Sequence, residues 1–441
     1  MRPFAIFIVI LVASDTSRLS AQTLEGARRP VFGSASEGIA RQSVDLTVAM
    51  AHVFDDDLGA EQERGSAAPS AGAVGGRHSD LDVSFGFVQA RPRLRTTVRA
   101  NSTARRYASL GSFVGSNHSA AGAMTASLGR KTTIQATGDA RHVSNLAFDA
   151  FQARVPLDAA DPDVAGSGAS AFDWTRTSYG GGAQLTRQLG KRSTIGVIGS
   201  ATYGERKIVG QRTDERTLGA VVGRTLTRDV TFSTVYTLNW GRERIGAETS
   251  LPWSQAVQWG VERKWRRPGG QRTIMTLSAG PLFASAGTPS LVGTDTIASP
   301  LEPETAVRLA WSAAMTHDFS RAWLAQLSYR RGAGGREAVF MSSTASLEIQ
   351  GALGRRVNVA VASAYTDSQL GGTLAARRYG TSLASARVQV AVGRFLAVQA
   401  QGFFYHYDLA AGVWLVEKTI PRVDRRGLQV GVILWAGAQR G

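Results

Sequence analysis

S-L-A-S-A-R-V-Q-V-A-V-G-R-F-L-A-V-Q-A-Q-G-F-F-Y-H-Y, running from Ser382 to Tyr407, decides the fold class of this chain. Two runs of about a dozen residues, each alternating apolar with polar or small, flank the tight connection Gly393-Arg394, the pattern of an antiparallel hairpin. In the first run Ala386, Val388, Val390 and Val392 fall on one face, and Arg387 and Gln389 on the other. A strand tilted by roughly 45° crosses a bilayer in about nine to eleven residues, so each run is long enough to span one.

The module recurs. The same plan is present at Leu128 to Gly138, Gln188 to Gly199 and Gly351 to Ala362, with looser copies turning at Arg91-Pro92-Arg93, Arg228-Asp229, Arg266 to Gln271 and Asp318 to Arg321. Every one of these turns carries a basic residue. Self-similarity on this scale marks a repeat architecture whose unit is the hairpin.

Met1 to Ala21 has a lone Arg2, an apolar run from Phe4 to Ala13 and small residues at Ser20-Ala21. That layout predicts a secretory signal peptide over 1–21, because ten or so apolar residues are too few to cross about 30 Å as a helix. The 441 residues include 49 glycines, no cysteine and only 19% charged residues. An exported chain without cysteine has no disulfide framework. Ordinary soluble strands run to about five or six residues, and these are roughly twice that. Only helices and closed barrels satisfy every backbone group in lipid, and no apolar run after residue 21 is long enough for a membrane helix.

The predicted fold is therefore all-β: a transmembrane antiparallel up-and-down β-barrel of about 18 strands. Strands are predicted near 43–54, 80–90, 93–104, 119–129, 132–143, 176–188, 193–204, 215–226, 230–240, 254–265, 272–282, 304–317, 322–331, 339–351, 356–366, 379–392, 395–407 and 425–437. The domain plan is a signal peptide (1–21), a short periplasmic N-terminal segment (22–42), the barrel (43–437) and a C-terminal tail (438–441). Connections alternate short and long, which puts the short turns in the periplasm and the long loops outside.

Parity separates two faces. Leu94, Thr96, Val98 and Ala100 make one face of their strand, and Arg93, Arg95, Thr97, Arg99 and Asn101 the other. A charge facing lipid near the midplane costs about 2–4 kcal/mol, so the arginines are predicted to line the lumen. The same argument turns Asp139, Arg141, Arg308, Arg330, Glu348 and Arg387 inward. The lumen-lining candidates are thus Arg93, Arg95, Arg99, Asp139, Arg141, Arg308, Arg330, Glu348 and Arg387, a polar and partly basic set. Either the arginines raise the local anion concentration, or carboxylates such as Asp139, Glu262 and Glu348 neutralise them and they brace the wall.

Other residues fit the lipid side or its rims. Arg263, His52, His142 and His317 share lipid parity near strand ends, where long or polar side chains reach headgroups. Trp240, Trp259, Trp265, Trp311, Trp323, Tyr179, Tyr203, Tyr236, Tyr329 and Tyr365 are candidates for aromatic girdles. Asp55-Asp56-Asp57 with Glu61 and Glu63, and Asp158, Asp161 and Asp163, lack the spacing of a calcium loop and read as solvated loop acids, so no metal and no cofactor is expected.

The formal charge of +16 invites a nucleic-acid reading, but the arginines are spread over turns and lumen faces with no nucleic-acid fold pattern. No G-x-S-x-G or H-E-x-x-H motif is present, and the chain is read as non-enzymatic.

The leader, the hairpins and the final strand Gly427 to Trp435 together resemble the bacterial outer-membrane β-barrel proteins, porin-like in size. The resemblance covers nearly the whole mature chain and rests on pattern without a specific motif. It implies residence in the outer membrane of a Gram-negative cell, with outer-membrane lipid, lipopolysaccharide and the barrel-assembly machinery as partners. That machinery recognises a C-terminal aromatic residue in family members; here Trp435 is followed by Ala436 to Gly441. The implied function is passage of hydrophilic solutes, or export of a polymer such as an exopolysaccharide. The alternative is a structural or adhesive surface protein with a blocked lumen and contact-making loops.

Overall fold

The structure, a computed structural model, describes residues 42–55, 76–107, 114–144, 175–206, 211–245, 248–266, 271–285, 305–320, 322–334, 340–369, 378–409 and 422–440. The candidate leader, most of the 22–42 segment and the acidic runs at 56–63 and 158–163 lie outside these residues.

Antiparallel strands follow one another in chain order. The first nine are β1 (Gln42–Asp55), β2 (Gly76–Arg91), β3 (Leu94–Tyr107), β4 (Val114–Ser127), β5 (Thr132–Val143), β6 (Arg176–Gln188), β7 (Ser193–Arg206), β8 (Gln211–Thr225) and β9 (Val230–Ile245). The rest are β10 (Glu248–Ser250), β11 (Trp253–Arg266), β12 (Arg272–Ser285), β13 (Thr305–Asp318), β14 (Trp323–Gly334), β15 (Phe340–Leu353), β16 (Val357–Gln369), β17 (Arg378–Ala391), β18 (Leu396–Leu409) and β19 (Arg422–Arg440). β10 and β11 both pair with β9, separated by Leu251-Pro252, and together form one stave. The wall therefore has 18 staves.

The ends of the chain close the ring: β1 pairs with β19 from Gln42↔Arg440 to Asp55↔Gly427. An open edge in lipid would leave a row of unsatisfied N–H and C=O groups, each costing several kcal/mol, and closure removes it. On the inner side of the seam, Trp435 hydrogen-bonds the Asp45 side chain. β19 runs to Arg440, so the barrel takes in residues 438–440, which the sequence pattern assigned to a tail. The closing strand needs that extra length to pair all of β1.

Outward and inward rows alternate as the pleat requires. Exposed Leu46, Met50, Phe85, Leu218, Val222, Val307, Leu309, Val388, Val390, Val430 and Val432 make an apolar outer belt. Such a belt around a closed antiparallel wall is the architecture of an outer-membrane barrel. All ten aromatic residues singled out above lie on the outward rows, and two pairs of them stack: Tyr179 with Tyr203 at 4.8 Å and Trp311 with Tyr329 at 4.3 Å. The three histidines singled out above each bond a hydroxyl on a neighbouring strand: His52 to Ser79 at 3.2 Å, His142 to Thr177 at 2.9 Å and His317 to Thr273 at 2.8 Å. Arg263 lies over the Trp265 ring at 4.7 Å, a cation–π contact that keeps its charge at the rim.

Several strands extend further toward the long-loop end than hydrophobic alternation predicts. β2 starts at Gly76, β8 at Gln211, and β9 ends at Ile245. Backbone pairing needs no apolar face once the wall leaves lipid, so the ladder continues where the pattern fades.

The ladder has one irregularity that a mutation can test. Pro281, which has no N–H, sits in β12 where the β11–β12 register skips Val257 and Gln258. A Cβ on the adjacent Gly280 would collide with the Val257 carbonyl oxygen. Gly280→Val is expected to destabilise the folded barrel by about 1–3 kcal/mol, read from its urea midpoint in vesicles. Gly199→Val, where a Cβ meets nothing within 4 Å, is expected to leave the midpoint in place. Equal midpoints for both variants would contradict the steric argument.

Candidate functional site: the inner wall

Inward positions on β3 to β16 are dominated by hydroxyl, amide and charged side chains, many bonded across neighbouring strands. Thr103 Oγ1 donates to Asp82 Oδ1 at 2.6 Å, and Thr217 Oγ1 donates to Asn239 Oδ1 at 2.8 Å. Asn239 Nδ2 donates onward to Ser254 Oγ at 3.2 Å. Hydroxyl pairs bridge Ser278 to Ser312 at 2.8 Å and Ser328 to Ser346 at 2.6 Å. Lys264 Nζ pairs with Glu262 Oε1 at 2.7 Å, so one of the carboxylates named above is already matched. The cross-strand bonds among these hold the polar side chains against the wall.

Eight of the nine lumen candidates occupy inward positions. Arg95 and Arg99 share a row with Thr97, Asn101 and Arg105, facing Thr125 and Ala121 on β4. Asp139 also faces Ala121, from the other side, so Arg99 and Asp139 stand at one level with a single alanine between them. Arg141 lies opposite Ser119. Glu348 faces Ala362 and Arg387 faces Ala360, neighbouring inward positions of β16, which leaves only small side chains between that acid and that base.

Arg308 and Arg330 are placed differently. Arg308 is opposite Leu282, and Arg330 lies between Ser312 and Thr344, so no carboxylate is a direct cross-strand partner of either. Arg93 departs from the sequence reading. β3 begins at Leu94, and Arg93 sits with Pro92 in the two-residue turn after Arg91, its carbonyl accepting from Ser127 N of β4 at 2.9 Å. It belongs to the short-turn rim and not to the strand face.

The side of the barrel formed by β1 to β3 and β16 to β19 was not legible as a site. Here inward side chains are buried. Val53, Ala364, Leu383, Phe403 and Tyr405 form an apolar cluster, and Ala49, Ala397 and Ile433 form a second. Apolar clusters thus interrupt the polar inward surface here, as they do elsewhere in the wall at Val221 with Val235 and at Ala256, Leu282 and Ala310. Phe403 and Tyr405 fall inward because β18 is registered with Gln401 opposite Arg387 and Phe403 opposite Ser385. The Phe403 ring lies where a Cβ on Gly427 would be, so that glycine makes room for it.

Toward the long-loop end of the same side lies a buried charged group: Arg425 is 1% exposed, His78 2%, Arg105 2% and Asp80 3%. Arg105 grips Asp80 with two bonds, Nε to Oδ1 at 2.8 Å and Nη2 to Oδ2 at 3.0 Å. His78 Nε2 stands 3.6 Å from the same Oδ1. Asp80 and Asp82 share one face of β2, and the β2–β3 register is what sets Asp80 opposite Arg105. Among the described residues no three or more metal-ligating side chains converge.

No protein-family model and no curated protein matches this chain. Solved structures similar to it are themselves barrels. OccAB1 of Acinetobacter baumannii is 10% identical over 92% of this chain and 100% of that one, with a TM-score of 0.43. OccK2 (OpdF) of Pseudomonas aeruginosa is 10% identical over 89% and 98%, at 0.41. The ferric-catecholate import receptor Fiu of E. coli K12 is 8% identical over 90% and 81%, at 0.41. At these identities and scores the likeness carries no argument about what the lumen takes.

Proposed function

We propose that this barrel is a channel, not a catalyst, that passes hydrophilic solutes across the outer membrane with a preference for anions. The observation that carries the reading is the inward polar surface from β3 to β16, in a wall of 18 staves. Barrels of about sixteen to eighteen strands enclose an aqueous lumen. Arg308 and Arg330, with no carboxylate directly across from them, supply the bias toward anions. A finer version is export of an anionic polymer such as an exopolysaccharide, for which the partly basic wall is suited. The buried inward side chains of β1, β2 and β16 to β19 favour a second reading, a lumen that conducts weakly or not at all and a protein whose role is structural or adhesive.

Planar-bilayer recording on the purified barrel separates these. The channel reading expects discrete conductance steps with a reversal potential displaced toward anions in a salt gradient. A folded barrel, verified by heat-modifiable mobility, that gives no steps would defeat it in favour of the structural reading. Reversible block of the steps by an anionic polysaccharide, added from the short-turn side only, is the result expected of a polymer exporter.

A further inference from the structure

The six histidines of the chain all lie in described strands, and one is placed unlike the rest. Only His406 stands between a carboxylate on one neighbouring strand and a hydroxyl on the other: the register sets it directly opposite Asp424 of β19 and directly opposite Ser382 of β17. His406 Nδ1 lies 2.6 Å from Asp424 Oδ1. A carboxylate only accepts, so Nδ1 carries the proton and the neutral ring keeps Nε2 as a base. The two ring nitrogens point apart, and with Nδ1 turned to β19, Nε2 is turned outward and toward β17. The Cβ atoms of directly opposed residues stand about 4.5–5.5 Å apart, so side-chain rotation alone brings Ser382 Oγ within the about 2.6–3.2 Å that a nucleophile needs of its base.

All three side chains face outward at the long-loop end. Ser382 continues the outward row Val390, Val388, Ala386, Ala384 of β17, and Tyr365, one of the girdle aromatics, stands directly across from it on β16. The three therefore stand at the interface level, where the ester linkages of a bilayer lipid lie. His406 is 27% exposed and Asp424 41%, which leaves the pair open to approach from the membrane surface. Below Ser382, Ala384 and Ala386 form a floor between Val361 on β16 and Phe404 on β18, a shallow apolar trough for an acyl chain.

We propose that Ser382, His406 and Asp424 are a serine-hydrolase triad on the outer wall, acting on the carboxylic ester of a long-chain acyl lipid. Ser382 Oγ attacks the ester carbonyl carbon as its proton passes to His406 Nε2, and the carbonyl electron pair moves onto oxygen, for which the Tyr365 hydroxyl is the cross-strand donor. The tetrahedral adduct collapses by breaking the carbonyl carbon–oxygen bond to the alcohol, which leaves with the proton from His406. Water, deprotonated by His406, then attacks the acyl-serine; the fatty acid departs and Ser382 recovers its proton. Asp424 touches neither reacting atom and is a positioning residue, holding the imidazole tautomer and steadying the imidazolium. A triad assembled by strand register needs no G-x-S-x-G, so the absence of that motif does not bear on it. The site makes the outer wall a catalyst beside the channel proposed for the lumen, and replaces the non-catalytic reading for that face alone.

The test uses the full-length barrel folded in detergent, with dioleoyl phosphatidylethanolamine in mixed micelles as substrate and an alkyl fluorophosphonate as covalent probe. Wild type is expected to release oleate and lysolipid in equal amounts, and to take up one probe molecule on the peptide bearing Ser382. Ser382→Ala should lose both, and His406→Ala should lower oleate release at least about a hundredfold. Asp424→Asn should lower kcat about a hundredfold with KM unchanged, and Asp424→Glu should recover part of kcat, a split that a merely structural ion pair does not give. Ser385→Ala, on the same strand but facing the lumen, should behave as wild type. Probe uptake by the wild type needs no variant to fold, and heat-modifiable mobility verifies the folding of each variant. Conductance plays no part in these readouts, so failure of the channel reading and failure of the triad are separately visible. No oleate from folded wild type, release that survives in folded Ser382→Ala, or probe carried on a serine other than Ser382 would each overturn the triad.

Discussion

Replacing Arg308 and Arg330 together by glutamine is expected to lower the anion-to-cation permeability ratio of the reconstituted barrel by about tenfold in dilute salt. A unit charge about 8 Å from a passing ion, in a medium of effective dielectric constant about 40, contributes about 1 kcal/mol, or a factor of about five. Two such charges act together, and screening trims the product. These two arginines are the informative choice because their cross-strand neighbours are Leu282, Ser312 and Thr344, and their charge is not matched by an acid in that position. The effect should shrink steeply as salt is raised, since the screening length falls from about 10 Å at 0.1 M to about 3 Å at 1 M.

The charge-balanced control is Glu348→Gln/Arg387→Gln, which removes an acid and a base separated only by alanines and leaves the net lumen charge unchanged. Its ratio should stay within about twofold of wild type, since only a dipole is lost. If the Arg308/Arg330 variant conducts with an unaltered ratio, those arginines brace the wall and do no selecting.

The second large effect concerns stability. Asp80→Asn is expected to destabilise the barrel by about 3–5 kcal/mol, because it strips the bidentate partner from a buried guanidinium. Asp80 and Arg105 are 3% and 2% exposed, so water cannot take over the lost bonds. Removing both charges is the diagnostic complement: Asp80→Leu/Arg105→Met should recover most of the loss, since a well-packed apolar pair of similar volume is often neutral relative to a buried ion pair. Urea titrations of the folded barrel in vesicles provide the comparison, with heat-modifiable mobility reporting the folded fraction. A midpoint for Asp80→Asn close to wild type would mean that the group around Asp80 is more hydrated than its burial implies.

Fold class, strand number and closure followed from sequence because each rests on a constraint that acts residue by residue. Val388 and Val390 must face lipid if Arg387 and Gln389 do not, and period-two alternation records that choice along every strand. Membrane thickness sets strand length, and the backbone's need for partners forces the first and last strands together, as Gln42↔Arg440 and Asp55↔Gly427 show. Parity likewise put Arg95, Arg99, Asp139, Arg141, Arg308, Arg330, Glu348 and Arg387 inward, because a charge cannot face hydrocarbon cheaply. Arg93 falls one residue before β3 begins, in the turn with Pro92, since alternation does not fix where a strand starts.

What only the tertiary structure decided is which side chains meet. Parity says that Asp80 and Arg105 face the same way, and register alone makes them partners; the same holds for Ser382, His406 and Asp424 on the outside. Register depends on turn geometry and on the stagger of the closed barrel, which no single strand encodes. Closure also settled which inward side chains are buried, Val53, Phe403, Tyr405 and Arg425 among them. Burial on an inner wall is a property of the whole ring, and a strand read alone distinguishes lipid from lumen but not a wet lumen wall from a dry one.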